Sequence, residues 1–274
     1  MTPDLRIQHA VVVRDGRSVR VAAQTPDFDA AEAERIAVLF GERPAGVACP
    51  RADLACPFGT AHVAVVRVED LPSGALGFRF LVLARELYKH LGDPFAVGQR
   101  YEVNWHASGP LEDLAWPTAV LPERTLEKLD AVLKAGDTPL LLGAAQALVD
   151  GNRVLLRRDA PSNFVSELWQ LLPERTRCDL WPATFAFSDE LGFHAAVGPT
   201  LPAARQGVRV LTEDAIRDYP QSSYELGLQL AIESGDRAAL RKLLARRTSD
   251  DTIRLGLYIL AFALVAAAVL KFVF

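Results

Sequence analysis

Cysteine is scarce in this sequence, at 3 residues: Cys49, Cys56 and Cys178. That is too few for a disulfide framework and fits a reducing compartment. Neither charge sign dominates. With 30 basic and 34 acidic residues the net charge is -4, which gives no case for nucleic-acid binding. The 5 histidines, His9, His62, His90, His106 and His194, are scattered singly. Several motifs are missing. There is no G-x-x-x-x-G-K-[ST], so the chain is not itself a P-loop nucleotidase. There is also no G-x-G-x-x-G after a strand, no H-E-x-x-H and no G-x-S-x-G elbow. No cofactor is expected. The N-terminus carries neither a basic leader nor an apolar run of signal-peptide length, and reads as the start of a folded domain.

The sequence has one long apolar run. Residues 255–274 read LGLYILAFALVAAAVLKFVF, with Lys271 the only charge. Twenty helical residues reach about 30 Å, the thickness of a bilayer's hydrocarbon core. The run therefore predicts a transmembrane anchor built on Leu255, Leu257, Tyr258, Ile259, Leu260, Phe262, Leu264, Val265, Val269 and Leu270, with Lys271 extended to the interface. Small residues, Gly256 and several alanines, leave room for another membrane helix to pack. Basic residues precede the run: Arg237, Arg241, Lys242, Arg246, Arg247 and Arg254. By the positive-inside rule the body should sit in the cytoplasm, as a single-pass, tail-anchored membrane protein. The juxtamembrane set Arg241, Lys242, Arg246, Arg247 and Arg254 either meets anionic lipid or is a solvated face.

The rest of the chain, from a composition that is 50% hydrophobic and 23% charged, reads as a packed body. Two apolar runs around Asp15-Gly16 predict a hairpin over residues 5–23, closed by a type I′ turn. Residues 29–40 predict a helix capped by Asp29, with Ala33, Ile36, Ala37 and Phe40 on its buried stripe. Residues 41–59 are crowded with proline and glycine and read as a loop. Strands follow at 61–69 and 76–87, the second with Phe78, Phe80 and Val82 on one side and Arg79 and Arg85 on the other. A helix over 82–90 stays open for part of that run. Residues 91–119 lose periodicity and read as the boundary between two lobes.

Beyond that boundary, helices are predicted from Pro122 to Gly136, from Thr138 to Gly151 and from Pro161 to Leu172, with a strand over 152–158. Strands over 183–188 and 192–197 read as a tight hairpin, and one more covers 207–212. A helix pair follows from Ser222. The expected fold class is a cytosolic α/β (α+β) body of two lobes with a single C-terminal transmembrane helix. Its parts are an α+β lobe at 1–119, an α/β lobe at 120–212, a helical pair with a basic segment at 213–252, and the anchor at 253–274.

Candidate chemistry is thin. Cys49, Cys56 and His62 could ligate a metal, but their spacing is wide and a fourth ligand is missing, so two small buried thiols are the preferred reading. Cys178, His194 and Asp189 could converge in space. The aromatic residues of the long connection, Tyr101, Trp105 and Trp116, either line a groove or cover the end of a sheet. Arg100, Tyr101, Trp105 and His106 are the residues of a hydrolase site placed at 92–116.

Residues 140–198 also carry a pattern: an apolar helix (140–149), a short strand (154–156), a helix ending in Leu-Leu-Pro (164–173) and an apolar strand (183–187). This run resembles the middle region of the GTPase-associated proteins of bacterial conflict and signalling systems. The hairpin and the FRFLVLAREL run sit where that family also has strands. The resemblance implies a fold and an adaptor role toward a partner GTPase. It assigns no catalytic residue, because the matching positions are core and turn residues. The expected function is thus a membrane-tethered interaction or adaptor module, whose partner is a GTPase or another membrane helix. The alternative is the tethered hydrolase at 92–116.

Overall fold

The computed structural model describes residues 5–116, 121–200 and 210–245. The chain opens with the expected hairpin, β1 (Arg6–Asp15) and β2 (Ser18–Gln24). Asp15 pairs with Ser18, so Gly16 and Arg17 form the turn. A type I′ turn needs two positive φ angles, and only Gly16 has one, at 58°. Glycine first in a two-residue turn is the type II′ pattern instead. Helix α1 (Ala30–Leu39) starts where Asp29 accepts the Glu32 N–H at 3.0 Å, and buries Ala33, Ile36 and Ala37 as its spacing requires.

An antiparallel meander comes next: β3 (Ala52–Phe58), β4 (His62–Asp70) and β5 (Leu76–Ala84). The first of these corrects the loop expected at 41–59. Cys56 pairs with Ala64 and Pro57 with Val63, near the strand's end, so the proline interrupts little. The run at 76–87 divides: β5 stops at Ala84 and α2 (Arg85–Leu91) begins. β5 then pairs with β1, Val11 opposite Arg79. The long connection holds α3 (Pro94–Gln99) and two short strands, β6 (Gly109–Pro110) beside β2 and β7 (Leu114–Ala115) beside β1.

The second half supplies α4 (Leu126–Ala135), α5 (Thr138–Val149), β8 (Arg153–Arg157), α6 (Phe164–Leu171) and α7 (Glu174–Asp179). It continues with β9 (Pro182–Ala183), β10 (Ala195–Gly198), β11 (Val210–Leu211), α8 (Glu213–Arg217), α9 (Ser223–Glu233) and α10 (Arg237–Leu244). Thr125, not Pro122, caps α4. The hairpin expected at 183–197 is absent: β9 and β10 lie side by side in parallel. The alternation in ATFAFS serves burial outside the sheet. Phe185 and Phe187 are in the core, and the N–H groups of Phe187 and Ser188 both donate to the Phe40 carbonyl at 3.1 Å.

All eleven strands form one mixed sheet in the order β11-β8-β10-β9-β3-β4-β5-β1-β2-β6, with β7 added to β1. The two halves of the chain meet where β9 runs antiparallel to β3, Ala183 opposite Leu54. One apolar core lies along a whole face, from Phe28, Phe40, Phe78 and Phe80 to Leu141, Trp169 and Tyr224. The other face of the antiparallel half, with Ile7, Val63, Val65, Leu81 and Leu83, packs with Leu87 and Tyr88 of α2 and Val97 of α3. Alternation along β4 and β5 separates the two cores.

The expected fold is corrected in two respects. The body is a single α/β unit around one large mixed sheet, with a core shared by both halves. No helix among the described residues is long and apolar enough to cross a membrane. A span needs about 20 residues, and α5, the most apolar helix described, has 12, of which Leu140 to Leu148 are buried in the body. The transmembrane helix, the single-pass tail anchor and the cytoplasmic placement read from it are therefore replaced by that finding. Residues 253–274, including the anchor set from Leu255 to Lys271, lie outside the described residues.

Helix α5 also fixes a sign. A Cβ on Gly143 would stand 2.3 Å from the Ile216 carbonyl oxygen of α8. Alanine normally exceeds glycine in a helix by about 1 kcal/mol. Here Gly143→Ala should instead destabilise by about 1–3 kcal/mol. Urea unfolding at equal slope checks this, and a stabilised variant would contradict the packing of α8 on α5.

Candidate binding surfaces

The residues that could have formed a catalytic group are each held elsewhere. Cys49 and Cys56 are buried, and burial pushes both thiols up to about 12. Cys178 donates to the carbonyls of Lys89 (2.8 Å) and Glu174 (3.1 Å), and burial raises its thiol too. His194 Nδ1 accepts the Trp181 N–H at 3.0 Å. Asp189 pairs with Arg153, whose Nε also donates to the Phe193 carbonyl at 2.6 Å. The Cys178–His194–Asp189 arrangement is thus dispersed into three separate structural contacts. Among the described residues no group of three or more His, Cys, Asp or Glu is placed to hold a metal.

The connection at 92–116 divides by role. Trp105 donates its Nε1 to Glu69 at 3.0 Å and lays its ring on Gly77, closing the end of the sheet. His106 is exposed, and its backbone N–H donates to Asn104. Arg100 and Tyr101 instead line a cavity of about 290 Å³ against β1 and β5. Tyr101 donates to the Ala115 carbonyl at 3.1 Å, and Arg100 lies over the Trp116 ring at 5.9 Å. The cavity floor is β1 and β5: His9 and Val11 from one, Arg79 from the other. His9 Nε2 lies 2.8 Å from the Glu112 carbonyl oxygen. Burial is the main cause that holds its pKa below the usual value.

Arg79 is the unusual member. It is 4% exposed, and among the described residues it has no carboxylate or carbonyl partner. Its guanidinium lies over the Tyr101 ring, 5.6 Å from the centroid. Its cross-strand neighbour on β4 is Arg67, a like charge. Arg67 is satisfied by Asp53 at 3.1 Å and donates to the Gly98 carbonyl at 3.4 Å. Burying a charge costs several kcal/mol, and a cation–π contact returns only about 0.5–2 kcal/mol. Burial, then Arg67, pulls the Arg79 pKa down to about 10. Alternation in FRFLV puts Arg79 opposite the phenylalanines, but nothing in the sequence signals that its own face is covered.

A second surface lies on α9 and α10. Leu226 and Leu230, one helical turn apart, are 48% and 66% exposed. Leu243 of α10 packs over Gly227 between them and stays partly exposed. Arg237, Arg241 and Lys242 are exposed on α10. Arg237 pairs with Glu127, whereas Arg241 and Lys242 have no acidic partner among the described residues. These two are the described members of the expected basic set. Arg246, Arg247 and Arg254 lie outside the described residues.

No family model matches the chain, and no curated protein matches it.

His194 offers a pH test of the fold around these contacts. Burial and Arg153 lower its pKa from 6.5 to about 4. The unfolded chain therefore takes up this proton first as pH falls. Stability is intact above pH 6.5 and declines toward pH 4. The loss should reach up to about 3 kcal/mol. Urea unfolding at pH 7, 5.5 and 4 should show a smaller loss in His194→Gln than in the parent. An identical loss in both would remove His194 from this role.

Proposed function

We propose that the chain is an interaction module, an adaptor that works by binding a protein partner. The observation that carries this reading is the α9–α10 pair: Leu226 and Leu230 of α9 are exposed one turn apart, and Arg241 and Lys242 of α10 are exposed with no acidic partner among the described residues. Apolar side chains of this size gain most when an opposing surface covers them. The two cations add positive charge to the same helix pair. The fitting partner is a protein surface with an apolar stripe edged by carboxylates, since opposite charges across an interface steer encounter and fix register. A GTPase is the partner class that the resemblance implies. The separation of Cys178, His194 and Asp189 into structural contacts supports binding over catalysis. The hydrolase alternative at 92–116 gains a cavity, but Trp105 and His106 lie outside its lining.

The partner is first isolated on the full chain, then titrated against variants. Leu226→Glu/Leu230→Glu should weaken binding at least tenfold, and Arg241→Glu/Lys242→Glu should weaken it mainly at low salt. Thermal midpoints should stay close to the parent, because these side chains are exposed. A partner that binds all variants as tightly as the parent docks elsewhere, and the reading fails.

A further inference from the structure

The cavity between the sheet and residues 100–114 is independent of the α9–α10 face and poses its own question. Arg79 reaches it as a buried cation with an aromatic ring on one side, a second arginine across the strand, and no carboxylate within ion-pair distance among the described residues. Its neighbour Arg67 has found a carboxylate in Asp53, and the other buried arginines among the described residues, Arg14, Arg153 and Arg177, each have an oxygen partner. Only Arg79 among these is left over, and it is the one that lines a cavity together with a histidine and a tyrosine. We propose that this cavity binds a small organic monocarboxylate, its carboxylate on the Arg79 guanidinium and its apolar body against Val11, Leu111 and Leu114.

Each part of the ligand class follows from a residue. The planar guanidinium fork matches a carboxylate in geometry and charge, and the interaction strengthens away from water. Val11, Leu111 and Leu114 give the wall apolar character, which suits a hydrocarbon chain or ring rather than a sugar. A volume of about 290 Å³ limits the guest to a compact acid. Glu102, exposed and also lining the cavity, places a negative charge that disfavours ligands of higher charge such as phosphate esters. Arg100 partly balances that charge. His9 stands two residues along β1 from Val11, the residue opposite Arg79, and lines the same cavity, where it can report on a bound anion. The groups facing it are Arg79, which lowers its pKa, and Asp113 with the Glu112 carbonyl, which raise it.

The test uses hexanoate on the full chain, by calorimetric titration, with hexanamide as the uncharged twin and inorganic phosphate as the alternative anion. One site for hexanoate, at least tenfold tighter than for hexanamide or phosphate, is the expected result. Arg79→Gln should lose at least tenfold of that affinity. Should Arg79→Gln not fold, Glu102→Gln takes its place, since it removes an exposed repelling charge and should tighten binding at least twofold. The His9 imidazole resonances give a second readout: its titration midpoint should rise when hexanoate is bound. Equal binding of hexanamide, tighter binding of phosphate, an unmoved His9 midpoint, or no heat from hexanoate would each overturn the proposal. None of these outcomes bears on the α9–α10 face.

Discussion

The fold depends on a short seam. Strand β9 meets β3 through one residue pair, Leu54 with Ala183, and Thr184 completes the junction. The Thr184 N–H donates to the Asp53 carbonyl at 2.9 Å, and the Asp53 N–H donates to the Thr184 hydroxyl at 2.8 Å. A handful of hydrogen bonds, each worth about 1 kcal/mol net, could not hold two independent bodies in register. What holds the seam is the apolar core that runs beneath it from Phe78 to Trp169. The seam in turn keeps that core continuous, because an open edge at β3 would expose Leu54, Cys56 and the phenylalanines behind them.

The same seam sets the electrostatics of the antiparallel half. Asp53 sits at the junction, where Arg51 and Arg67 both reach its carboxylate. That satisfies Arg67 and leaves its cross-strand neighbour Arg79 without an acid. The cavity charge thus follows in part from where the Asp53 carboxylate is placed. Arginine keeps its charge at any ordinary pH, so Arg79 cannot resolve its burial by losing a proton. The surrounding structure meets the cost with the Tyr101 ring and the rest of a well-packed sheet. On the opposite half of the chain, α9 and α10 present leucines and cations outward, away from any such compensation. Both features are places where local stability is given up, and both are what recognition sites require.

Much of this architecture is legible in the sequence wherever one periodicity serves one purpose. The stripe Ala33, Ile36, Ala37 and Phe40 is helical because those residues face a single core. The β1–β2 hairpin declares itself through Gly16, though the turn is centred one residue later than Asp15-Gly16 suggests. Legibility fails where a pattern serves two masters. In ATFAFS the alternation reads as a strand, yet only Ala183 pairs in β9, and Phe185 and Phe187 alternate to fill the space under α1. Strand β3 hides behind the prolines at 50 and 57. The apolar run at 255–274 dominates a hydropathy reading, and the described residues contain no helix that could span a membrane. Arg79 and the outward leucines of α9 show the remaining limit. Sequence alternation tells which side of an element a residue takes, but burial depends on what covers that side. At Arg79 the cover is the irregular connection 91–116, which has no periodicity to read.

Whether the two halves are one structural unit is decided most directly by native-state hydrogen exchange on the full chain. The amides of Asp53 and Thr184 straddle the seam, and those of Val65 and Leu81 sit in the middle of the antiparallel half. If a single sheet and a shared core hold the body together, all four should exchange only through global unfolding, with the same free energy and the same dependence on denaturant. If instead Asp53 and Thr184 open at a markedly lower free energy while Val65 and Leu81 stay protected, the halves separate on their own and the account of one continuous sheet is wrong.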